Sequence, residues 1–133
     1  MGKFTAVTKD VFSVFASPEW LAENIKTYPR DFVQGGLSSE FIRVSVLTPS
    51  EGVNTKSVNG VMLVEIFTEA GKGPNRANVI ADALDKHFSK KTLKTGSGMT
   101  QLFDSVLTYN GLDADNSALV KSTFSIQFKY FEV

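Results

Sequence analysis

The chain has 133 residues, 42% hydrophobic and 21% charged, which is the composition of an ordinary globular protein with room for one core but not two. Its 14 Lys and Arg balance 14 Asp and Glu, so no global field recruits nucleic acid or an anionic membrane. Cysteine is absent, which excludes disulfides, thiolate metal sites and cysteine nucleophiles.

A single domain over residues 1–133 is expected. Lys9 and Asp10 break the apolar run that a signal peptide would need, and no stretch reaches the ~20 apolar residues of a membrane helix. Residues 4–16 place Val7, Val11, Val14 and Phe15 on one helical stripe, with Phe4 and Phe12 at its edges. Ser17-Pro18-Glu19 reads as an N-cap followed by proline at the first helical position, opening a short turn through Trp20 and Leu21. Tyr28-Pro29 stops any helix, and residues 30–39 read as a loop with Gly35-Gly36 as its flexible point.

Phe41–Leu47 is the first strand, with Ile42, Val44 and Val46 on one face and Arg43 and Ser45 on the other. Residues 48–59 are polar and contain proline and glycine. They read as a long loop of the kind that carries function, one that could be shortened with the fold intact. Val61–Phe67 is apolar on both alternate sets, as a centrally buried strand requires; Glu65 is its only charge. Two glycines and Pro74 in Gly71-Lys72-Gly73-Pro74 then turn the chain into a helix over 75–90, whose stripe is Ala77, Ile80, Ala81, Leu84, His87 and Phe88.

Lys90 to Gly98 is basic, then glycine-rich, and leads through a short edge strand or loop into a strand over 99–109. There Met99, Phe103, Leu107 and Tyr109 share one side and Leu102 and Val106 the reverse. Residues 110–117 form a turn-rich loop. In the last strand Val120, Phe124, Ile126, Phe128 and Tyr130 alternate with polar residues. The element order is therefore α–β–β–α–β–β. The expected fold is α+β, a mainly antiparallel sheet of about four or five strands with helices packed on one face.

Candidate chemistry is sparse. The Gly71–Asn75 turn sits where phosphate loops sit, but Lys72 stands between the glycines, no hydroxyl follows it, and Pro74 removes a backbone donor. His87, the one histidine, lies on the packing stripe and reads as a satisfied, half-buried side chain. Asp113 and Asp115 lack the other ligands of a calcium loop. Lys86, Lys90, Lys91 and Lys94 suit a helix C-terminus, with a weak contact to a phosphate backbone as the sharper option.

FIRVSVLTPSEGVNTKSVNGVMLVEIFTEAGKGPNRANVIADALDKHF, with FSIQFKYFEV after it, resembles the tail terminator family of long-tailed siphophages. The likeness lies in a strand, a polar loop, an apolar strand ending near a Gly-x-Gly turn, and a helix whose Ala-Asp-Ala-Leu stripe closes on Phe88. It covers residues 40–90 well and the remainder by element order, and the lysine in GKGPN departs from it. The resemblance implies a non-enzymatic, cofactor-free virion protein, assembled in the host cytoplasm and located at the head-proximal end of the tail. Its implied form is a homohexameric ring that caps the tail tube, stops its polymerisation and meets a head-completion or connector protein. Genomic DNA would pass through the lumen without specific binding. The candidate contacts with neighbours, tube or neck are Ser50, Glu51, Asn54, Lys56, Lys72, Asn75, Arg76, Asp113 and Asp115. The alternatives are another neck or tail-tube ring protein, or a small phosphate- or nucleotide-binding domain using the Gly71–Asn75 turn.

Overall fold

A computed structural model describes residues 2–29, 40–51, 57–71, 74–94, 96, 98–112 and 118–132. Its elements are α1 (Lys3–Phe15), α2 (Pro18–Leu21), β1 (Thr27–Pro29), β2 (Phe41–Glu51), β3 (Ser57–Glu69), α3 (Asn75–Phe88), β4 (Thr92–Leu93), β5 (Gly98–Leu112) and β6 (Leu119–Glu132). The expected α+β fold of four or five strands in the order α–β–β–α–β–β is overturned. Strands dominate, and they form one six-stranded, mixed half-barrel sheet in the order β1-β2-β3-β6-β5-β4. β1 runs parallel to β2, and every other pair is antiparallel. The pattern gives no sign of β1 and leaves β4 as a short edge strand or loop; they have three and two residues, too few for any periodicity to show.

The supposed loop over 48–59 is mostly sheet. β2 continues to Glu51 and β3 begins at Ser57, with Ser50 opposite Asn59 and Glu51 opposite Val58. β6 holds this end from the other side, pairing Val58 with Tyr130 and Asn59 with Lys129. Cross-strand pairing thus makes strand out of residues whose polarity suggests a loop. A register shift between Leu47 and Ser50 absorbs Pro49, which has no N–H to offer a ladder.

The main core lies between the helices and the sheet face that carries Ile42, Val44, Met62, Val64, Ile66, Phe124, Ile126 and Phe128. Onto it α1 sets Val7, Val11 and Phe15, and α3 sets Ile80, Leu84 and Phe88. Asp10 sits among these apolar residues almost wholly buried, and its Oδ2 accepts a hydrogen bond from the equally buried Thr100 hydroxyl at 2.6 Å. α2 is capped by the Ser17 hydroxyl and delivers Trp20, whose ring meets Phe15 edge-on at 5.0 Å and whose indole N–H donates to Thr27. On the opposite sheet face Phe41 stacks on Phe67 at 4.6 Å beside Leu119.

Two glycines in the sheet are required by their neighbours. A Cβ on Gly60 would overlap the Leu47 carbonyl and the Phe128 ring, and one on Gly98 would overlap the Tyr130 hydroxyl. Both let a large aromatic of β6 lie across an adjoining strand.

Candidate interaction surface

Two register shifts shape β5. Between Leu102 and Ser105 one extra residue enters, so Phe103 and Asp104 both stand against Gln127. A second shift falls between Tyr109 and Gly111, where Gly111 takes φ +95° and the Asn110 amide oxygen accepts from Thr123. The first bulge corrects the predicted alternation of this strand. Leu102 pairs with Phe128, but Ser105, Leu107 and Tyr109 then pair with Ile126, Phe124 and Ser122, which puts Leu107 and Tyr109 on the side of the main core. Phe103 no longer shares their side.

The helices do not cover that side of β5 to its end. The C-terminal half of α3 reaches it through Asp85, whose Oδ1 accepts from Ser105 at 2.5 Å. Beyond that point Leu107, Tyr109 and Leu112 are 39%, 59% and 66% exposed on this side, and Val106, which pairs with Ser125 and so belongs to the opposite face, is 60% exposed. Four exposed apolar side chains within seven residues of one strand form the clearest contact surface among the described residues. β4 pairs only with Thr100 and Gln101, and two backbone bonds from the Lys90–Lys91 turn reach Leu102 and Phe103. From Asp104 to Leu112 the outer edge of β5 has no strand partner among the described residues.

The residues singled out from the sequence do not gather at this surface. Ser50 and Glu51 are the last paired positions of β2, opposite Asn59 and Val58. Asn75 opens α3, exposed, beside Arg76. Arg76 is held within the chain: its guanidinium meets both oxygens of Glu40 at 2.7–2.8 Å, which raises its pKa and ties the start of α3 to the start of β2. These two groups stand at opposite ends of β2. Asn54, Lys56, Lys72, Asp113 and Asp115 lie outside the described residues.

His87 is the satisfied histidine that its place on the stripe suggests. Its Nε2 lies 2.9 Å from Glu23 Oε2, its ring meets Trp20 edge-on, and the hydrogen bond to it lowers the Glu23 pKa. Across the other sheet face, Arg43 and Lys121 flank Glu65 at 2.9 and 3.0 Å. Burial pushes the Glu65 carboxyl up, but hydrogen bonds from Arg43 and Lys121 outweigh it and hold the group below its ordinary range. An open cleft of about 450 Å³ between α1, α2 and β1 is lined by Phe12, Phe15, Trp20, Leu21, Ile25 and Tyr28 among others. No group of three or more His, Asp or Glu able to hold a metal occurs among the described residues. None of the described helices is long and apolar enough to cross a membrane.

No family model matches the chain, and no curated protein matches it. Solved structures do. One of them, whose name carries no functional description, superposes with a TM-score of 0.65 over 97% of this chain and 93% of its own, at 14% sequence identity. At that identity the likeness is one of fold alone.

Sequence reasoning missed the distal half of β5 because its alternation was followed straight through the first bulge. The signal was present in another form. Ser105–Leu112, SVLTYNGL, carries no charge and no proline, whereas β6, which is paired on both sides, places lysines on its polar face.

Proposed function

We propose that the chain is a structural subunit of a long-tailed phage, a tail terminator that assembles into a ring on the tail tube, halts tube growth and presents a face for head attachment. The observation that carries this reading is the group of exposed apolar residues Val106, Leu107, Tyr109 and Leu112 on a strand edge without a strand partner among the described residues, a surface suited to protein rather than to a small molecule. The resemblance over residues 40–90 supports it as well. The role needs no catalytic group and no cofactor. Its partners are further copies of the chain, the tube protein and a head-completion protein, and its place is the head-proximal end of the virion tail.

The test adds the purified chain to polymerising tube protein of the phage whose genome carries it, with tube length read by electron microscopy and native mass by light scattering. Tubes of fixed length, each ending in a discrete ring, are expected. Tubes that lengthen as though the chain were absent contradict the proposal. Open-ended polymers of the chain itself point to a tube protein instead.

A further inference from the structure

The two edges of the sheet are stepped, and the steps match. Follow the paired rows across the sheet. β1 sets Thr27, Tyr28 and Pro29 beside Ile42, Arg43 and Val44, and those rows continue through β3 and β6 to Tyr109, Thr108 and Leu107. At the other end, β4 sets Thr92 and Leu93 beside Gln101 and Thr100, and those rows continue back to Ser50 and Glu51. β1 therefore projects in the rows where β5 is open, and β4 projects in the rows where β2 has no outer partner among the described residues. Two copies set side by side, without a shift along the strands, would bring tab to notch twice.

We propose that the open edge Asp104–Leu112 of one copy docks the β1–β2 edge of a second copy, head to tail, by continuing the sheet from chain to chain. The inference rests on reading the chain as a self-assembling ring subunit, and it names the surfaces by which copies meet. Because the two surfaces differ, the contact is heterologous, which a ring requires and a simple two-fold dimer does not. The charges agree with it. Along the edge Asp104–Leu112 only Asp104 is charged, paired with Lys90 at 3.6 Å, and Thr27–Pro29 holds no charge, so no charge is desolvated unpaired along that seam. Of these nine residues Leu107–Tyr109 lie level with β1, where Pro29 has no N–H to give, and β4 adds a second short ladder at the other end of the contact. The two bulges bracket the regular run Ser105–Tyr109 without interrupting it.

The test uses Val106→Lys and Tyr109→Lys, at side chains exposed enough for the fold to tolerate lysine, with circular dichroism and thermal melting as the control. Light scattering is expected to show the wild type assembling and both variants as monomers of native fold. Assembly that persists in both variants overturns the proposal, as does a wild type that stays monomeric up to millimolar concentration. The cysteine-free background then permits a topological check. Mixing Thr92→Cys with Ser50→Cys under oxidation should give a cross-linked pair that neither gives alone, because residues opposite each other on adjacent strands lie within disulfide reach. Cross-linking of Thr92→Cys to itself overturns the head-to-tail arrangement. The phage reading fails separately: rings that depend on these edges yet leave tubes uncapped sink it alone, and variants that cap tubes as the wild type does sink this inference alone.

Discussion

Glu65 is the one charge in an otherwise apolar strand, and its surroundings decide what it contributes. In the folded chain it sits between Arg43 and Lys121 with its pKa below the ordinary 4.5, so over the window between the two values the folded form binds fewer protons than the unfolded one. The stability from this group is therefore complete above pH 4.5 and is lost as the pH falls through the folded-state value. Glu65→Gln should be less stable than the wild type at neutral pH, and the gap should narrow below pH 4.5. Urea unfolding at a series of pH values measures this; a gap that stays constant from neutral pH to acid would contradict it. That a charge sits in the strand was legible from the alternation of residues 61–67. Its two cations come from β2 and β6, at positions 43 and 121, and no local pattern could bring them together.

At the scale of elements, the hairpin joining β2 to β3 was misread as a loop, and the misreading has a measurable consequence. Val58 is 2% exposed and belongs to the main core, and Ser57 is buried beside it. Replacing residues 49–59 by a two-residue turn removes Val58 together with the strand pairs around it. It should therefore cost about 2–5 kcal/mol, the scale of deleting one buried aliphatic side chain. An unfolding midpoint equal to that of the wild type would show that this end of the sheet contributes nothing. By contrast, α1 and α3 follow their stripes closely, at Lys3–Phe15 and Asn75–Phe88. The helix over 75–90 stops two residues early, with Lys90 turning the chain at φ +59°. Helical periodicity extends over enough residues to survive local exceptions such as Asp10 on the buried stripe of α1. A strand gives the reader only alternation, and one bulge reverses it, as happens between Leu102 and Ser105 in β5.

Single exposed apolar side chains occur on the helices at Phe4, Leu21 and Val79, but the densest group among the described residues lies on one half-open edge, and an edge of that kind changes how stability depends on concentration. If copies meet there, assembly draws on the folded state and not the unfolded one, so the melting temperature of the wild type should rise with protein concentration. For Val106→Lys it should be independent of concentration. Scanning calorimetry over a hundredfold range separates the two, and a wild-type melting temperature that does not move would mean that no such linkage exists. The match between β1's rows and the open part of β5 emerges only when the register is followed across all the intervening strands.

By itself the sequence determined the two amphipathic helices, the central place of Val61–Phe67 in the sheet (though Val61 and Leu63 on its second face are only half-buried), the alternation of β6 and the placing of His87 on a packing stripe. Each is a property of consecutive side chains, and each follows from the 3.6- and 2-residue periods. Only the tertiary structure decided the number of strands, the parallel entry of β1, the conversion of residues 48–51 and 57–59 into sheet, and the exposure of β5's far half. Those depend on which backbone lies beside which, and a partner strand, whether 15 residues away as Ile42 is from Thr27 or 72 as Tyr130 is from Val58, leaves no mark on the local pattern.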